Sequence, residues 1–123
     1  MDIKKLNKIV KESQEDLGDS LLSSDIWSVA DGQTIAGFKS QPAAAALMNQ
    51  VGKELIAALT GSKFPSLENY YILDLQDGKL MLCLLCGDYQ WGMLLDVEKI
   101  QLGLLLNVVA PKCIDGFNEA VSN

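Results

Sequence analysis

Ile26-Trp27-Ser28-Val29-Ala30-Asp31-Gly32-Gln33-Thr34-Ile35-Ala36 reads as a hairpin. Two β-like segments, Leu21 to Ala30 and Gln33 to Lys39, meet at Asp31-Gly32, and a type I′ turn needs the positive φ that Asp and Gly tolerate. Upstream, Asp2 can cap a helix whose Ile3, Leu6, Val10 and Leu17 share one stripe, with Lys4, Lys8, Lys11, Glu12 and Glu15 elsewhere around the axis. Gly18 and Asp19 end that helix. Downstream, Ser40 or Gln41 precedes Pro42, which suits the first turn of a helix because its missing N–H has no partner there.

That second helix, Ala43 to about Thr60, is apolar on two adjacent stripes. Ala44, Leu47, Met48, Val51, Leu55, Ala58 and Leu59 cluster on one face at about 100° per residue and are expected to form the core stripe. Ala45, Asn49, Gly52 and Ile56 make a second stripe of mostly small residues. A mid-helix glycine costs about 1 kcal/mol relative to alanine. Gly52 therefore either admits a neighbouring helix or relieves crowding inside the protomer, and both readings stand.

After Gly61 and Pro65, three extended runs follow: Asn69 to Leu75, Leu80 to Cys86 and Tyr89 to Leu95, joined at Asp77-Gly78 and Gly87-Asp88. Leu80 to Cys86 is apolar at every position, so both faces of that strand should be covered. The tail from Val97 is helical in composition, with Cys113, Phe117, Ala120 and Val121 on a packed face; Leu102 to Ala110 is apolar nearly all round, and Pro111 should kink or interrupt it. The order is helix, two strands, helix, three strands, helix. Residues 1–123 show no linker or repeat and read as one α+β domain with an antiparallel sheet covered on both faces.

Composition excludes much chemistry. The chain has 16 acidic and 10 basic residues, a net charge of −6, and no His; every basic residue is Lys. Without His there is no Ser-His or Cys-His pair and no histidine-ligated metal. Without Arg there is no bidentate phosphate clamp and no arginine finger. The acidic balance opposes nucleic acid, whose affinity for proteins comes mostly from cationic contacts. The longest uncharged stretches, Ser40 to Gly52 and Ile100 to Pro111, fall short of the ~18 apolar residues a spanning helix needs, so no membrane insertion is expected. Three cysteines in apolar company, Cys83, Cys86 and Cys113, suggest buried thiols in a reducing cytoplasm.

The remaining motifs read as structure. Cys83 and Cys86 have CxxC spacing, but a zinc site lacks its other ligands, and residues three apart on a strand face opposite ways. Gly52-Lys53-Glu54 and Gly78-Lys79-Leu80 both fail the phosphate-loop pattern. Asp31, Asp77 and Asp88 suit turns, and Asp96 a strand end or cap, so a carboxylate hydrolase is a distant reading. Trp27, Tyr70, Tyr71, Tyr89 and Trp91 fall in strands, mostly as packing.

The stretch Ile26 to Ala36, the Ala/Leu-rich helix after it, the Asp77-Gly78 hairpin and a closing helix entered through Leu102-Gly103-Leu104 together resemble the roadblock family, also called the dynein light chain or gliding-motility regulator family. The order of elements along nearly the whole chain carries this resemblance; Pro111 departs from the usual pattern. It implies a roadblock, profilin-like fold of order αββαβββα, a five-stranded antiparallel sheet between helices. It also implies a cytoplasmic homodimer paired through the second helix and an edge strand, working without cofactors on Ras-like small GTPases. Carried over by position, the dimer-face candidates are Ala45, Asn49, Gly52 and Ile56 on the helix and Tyr70 and Ile72 on the strand Tyr70 to Leu75. An assembly scaffold without effect on nucleotide turnover and a small-molecule sensor are the alternatives.

Overall fold

Side chains along β4 (Lys79–Cys86) alternate between two covered surfaces, and that alternation organises the molecule. The computed structural model describes residues 1–122. In it, β4 is an inner strand of a five-stranded sheet ordered β2-β1-β5-β4-β3, with β1 at Leu21–Ser28, β2 at Thr34–Phe38, β3 at Tyr70–Leu75 and β5 at Tyr89–Asp96. Every neighbouring pair is antiparallel. Helix α1 (Ile3–Leu17) precedes the sheet and α2 (Pro42–Gly61) separates β2 from β3. The closing helix comprises α3 (Leu102–Leu104), a π-helical turn (Leu105–Val109) and α4 (Ala110–Val121). The order αββαβββα is the one read from the sequence.

One face of the sheet lies under α1 and the closing helix. There Leu82, Leu84, Trp91 and Met93 meet Leu6, Val10, Leu105 and Phe117 in a cluster with almost no exposed surface. Asp2 starts α1, its side chain accepting from the N–H groups of Lys4 and Lys5, while its own N–H donates to Ala120 O at 3.0 Å. Lys112 Nζ reaches Asp16 Oδ2 at 2.8 Å near the other end, so α1 and α4 run antiparallel side by side. Ile3, expected on the core stripe, is 52% exposed instead, because buried contact begins one turn later at Leu6.

The opposite face carries α2 alone, over Trp27, Tyr71 and Cys83. Among the described residues no helix is long and apolar enough to cross a membrane.

Two sequence signals resolve differently. Asp77 and Gly78 both take positive φ, 62° and 69°, as a type I′ turn requires. At Asp31-Gly32 only Gly32 does. The connection there spans Val29 to Gln33: Asp31 Oδ1 accepts from Gln33 N at 3.0 Å, and Val29 N donates to Asp88 O at 2.9 Å, tying this loop to the β4–β5 turn. Pro111 does not break the closing helix. Lacking an N–H, it would orphan a carbonyl one turn back; the widened π turn just before it changes the hydrogen-bond register, and the helix continues to Val121.

Candidate functional site

The described residues hold no group of three or more Cys, Asp and Glu side chains placed to share a metal ion. Cys83 lies under α2 and Cys86 on the opposite face, so the CxxC pair is split across the sheet. Burial pushes the thiols of Cys83, Cys86 and Cys113 up to about 12, which keeps them protonated and poorly nucleophilic near neutrality. Asp25, a buried carboxylate, serves structure: it accepts from Ser40 Oγ and, at 3.0 Å, from Gln41 N, supplying the N-terminal cap that Gln41's side chain does not.

The α2 layer is pinned by polar contacts as much as by hydrocarbon. Asn49 Nδ2 donates to Val29 O at 3.1 Å and the Tyr71 hydroxyl to Met48 O at 3.4 Å. The Tyr71 hydroxyl is held protonated by burial, with Cys83 beside it adding to the effect. A Cβ at position 52 would sit 3.2 Å from Gln90 Oε1 and 3.5 Å from the Tyr71 hydroxyl, so glycine lets the helix axis come down onto the sheet. Gly92 does the same from below, since a Cβ there would lie 2.8 Å from the Trp27 ring.

These contacts correct the assignment of faces on α2. Ala45, Asn49 and Gly52, dimer-face candidates by resemblance and open to either reading by pattern, are buried against the protomer's own sheet. Ile56, from the same stripe, is exposed, because α2 has run past the densely packed part of the sheet by that turn. Of the residues expected to be core, Met48 is buried, Val51, Leu55 and Leu59 are half-buried, and Leu47 is 64% exposed. Ala44 lines a recess of about 60 Å³ under the start of the helix. The outward face of α2 carries Ala46, Gln50, Lys53, Glu54 and Ala57, with Leu47 and Ile56 exposed on its two flanks and Phe64, 70% exposed, beyond the helix end.

β3 adjoins this face as an edge strand, bonded to β4 on one side only. Tyr70 and Ile72 point to the layer beneath α1 and α4, where both are half-buried. Tyr71 and Leu73 point to the α2 side, and at the strand's end Leu75 is exposed. Exposed apolar side chains on the flanks and beyond the end of α2 thus share a layer with a strand that has open hydrogen-bonding groups. Such an arrangement binds other protein surfaces. The small-residue stripe was legible in the sequence. Its direction was not, because Met48 from one stripe and Ala45, Asn49 and Gly52 from the other all turn inward, and only contact with Gln90 and Tyr71 shows this for the small residues.

No family model matches the sequence, and no curated protein matches it. Solved structures do. Myxococcus xanthus MglB superposes with a TM-score of 0.83 at 12% identity, over 98% of this chain and 90% of that one. The gliding protein MglB of Thermus thermophilus gives 0.80 at 8%, again over 98% and 90%. A roadblock/LC7 domain from Streptomyces avermitilis gives 0.71 at 14%, over 95% and 98%. At these identities the likeness is one of fold, and the fold is the roadblock/MglB-like, profilin-related one that the order of elements implied.

Proposed function

We propose that residues 1–123 form one roadblock-like domain acting in the cytoplasm as a non-enzymatic regulator or adaptor of a Ras-like small GTPase. The observation that carries this reading is the pairing of exposed Leu47, Ile56 and Phe64 around α2 with the unpaired β3 edge on a roadblock/MglB-like frame. The step from frame to partner is an analogy of fold. The chain works as a homodimer in this reading, with Leu47, Ile56 and Phe64 against the partner copy and β3 pairing across the two-fold axis. Tyr70 and Ile72 contribute their backbone to that edge.

With no arginine to insert, any effect on hydrolysis comes from positioning the GTPase's own residues.

Retention of partners from GTP-loaded and GDP-loaded lysate tests the GTPase reading; recovery of no GTPase in either state overturns it. Hydrolysis by the recovered GTPase, with and without this protein, separates an activator from a scaffold. Leu47→Glu combined with Ile56→Glu should reduce the mass measured by light scattering to that of one protomer. A dimer mass unchanged by both substitutions would sink the α2 assignment and leave the GTPase reading standing.

A further inference from the structure

The two ends of α1 lie beside unlike surfaces. At its start, Lys4, Lys8 and Lys11 are exposed at i, i+4 and i+7, so they form one stripe. Its first turn contains no acidic residue, and cations there oppose the helix macrodipole. Among the described residues none of the three makes an ion pair; the single pair is Lys112 with Asp16. The half-exposed side chain of Ile3 stands next to them.

At its other end, α1 leads into the turn Gly18–Ser20, which packs against Val97–Lys99. There an apolar recess of about 290 Å³ opens between the sheet and α3, lined by Leu80, Leu95, Val97, Ile100, Leu102 and Leu105. Leu102 at its mouth is 51% exposed. The flanking charges are mainly acidic. Asp96 caps the Val97–Lys99 turn, Glu98 Oε1 reaches about 4 Å from where a Cβ of Gly78 would stand, and Asp74 and Asp77 follow along the β3–β4 turn, against Lys79 and Lys99.

The α1 start offers an apolar anchor and an excess of lysine, with Glu12, Asp115 and Glu119 further along the α1–α4 groove beside Lys8; the recess offers apolar lining and an excess of carboxylate, so the two surfaces are complementary in hydropathy and net charge. Fifteen residues of helix set them ~22 Å apart, so a protomer cannot satisfy both itself. We propose that the start of α1 from a second copy of this chain docks there, Ile3 entering the recess while Lys4 and Lys8 meet Asp96 and Glu98. The contact is heterologous: each copy offers one surface and fills another, so assembly continues head to tail unless the rotation closes a ring. It uses neither α2 nor β3 and stands apart from the dimer proposed above.

Sedimentation velocity of the full chain over a range of concentrations tests it. Species at multiples of the basal mass should grow with concentration at low salt and disperse as sodium chloride is raised. Lys4→Glu with Lys8→Glu, and separately Glu98→Lys, should each weaken this association roughly tenfold, and the combined charge swap should restore it. Glutamate at a helix start follows the macrodipole, so an undiminished melting temperature will distinguish lost association from lost folding. An unchanged mass distribution in either variant overturns the proposal. So does association that strengthens with salt, the sign expected if repulsion between two acidic copies governs. Lysine-dependent binding to phosphatidylglycerol vesicles without lysine-dependent self-association also overturns it, assigning the stripe to a lipid surface. If only the α2 substitutions change the mass, the dimer reading stands and this one falls.

Discussion

Phe117 and Gly52 occupy equivalent places in the two helical layers, each where a helix meets the sheet, and they fill those places by opposite means. Phe117 spans the gap with a fully buried ring among Leu6, Leu84 and Trp91, and that layer is completed by two helices. Gly52 removes the gap by bringing backbone to Gln90 and Tyr71, and the layer above it stops at a single helix that leaves Leu47 and Ile56 exposed on its flanks. One layer is finished within the protomer. The other is finished only on the side that faces inward. Stability should therefore concentrate in the first layer, and association in the outer surface of the second.

Phe117→Ala would break that contrast most severely. Loss of a fully buried ring should cost about 3–5 kcal/mol, read from urea unfolding followed by the fluorescence of Trp27 and Trp91. A cost below ~1 kcal/mol would mean the finished layer is not the stability core. Alkaline pH should weaken both layers together. Cys83 lies in one and Cys86 and Cys113 in the other, with folded values near 12 against an ordinary 9.0. The stability owed to their protonated burial is whole below pH 9 and is lost as the pH climbs from 9 toward 12. Melting temperature should fall across that window and stay unaffected by these thiols near neutrality.

Smaller effects sharpen the comparison. Gly92→Ala would drive a methyl into the Trp27 ring at 2.8 Å and should cost about 1–3 kcal/mol by thermal melting. Asn49→Ala removes the bond to Val29 O and should cost about 1 kcal/mol, with amide exchange accelerated first around the β1–β2 loop. Leu47→Ser, on the outer side of α2, should leave protomer stability within about 0.5 kcal/mol. A larger loss would show that Leu47 is part of a protomer core after all.

The order of elements was legible because it rests on local rules: Asp2 as cap, Pro42 at a first turn, Asp77-Gly78 with paired positive φ, an all-apolar β4. What stayed illegible depends on contacts between segments far apart in the chain. Asp31-Gly32 has the same local signal as Asp77-Gly78, yet its loop is held by Asp88, far along the chain. The inner side of α2 draws on both stripes, Ala45, Asn49 and Gly52 beside Met48, Val51 and Leu55, because Gln90 and Tyr71 reach up to the small residues, and hydropathy alone does not reveal that contact. The small-residue stripe of α2 was therefore found on the right helix, and of its two open readings the contacts at Gly52 support packing inside the protomer.

The pairing of α1 with α4 also bears on how the chain is made. Leu6 and Val10 can meet β-strand residues early, but the α1 groove closes only against Cys113, Phe117 and Ala120, and its ends are tied by Asp2 to Ala120 and Asp16 to Lys112. Lys112 lies 96 residues beyond Asp16, so a ribosome must deliver the whole sheet and α2 before either tie can form. The first helix of this protein therefore waits through that interval with its apolar stripe half-covered, and its native seat exists only once the closing helix has emerged.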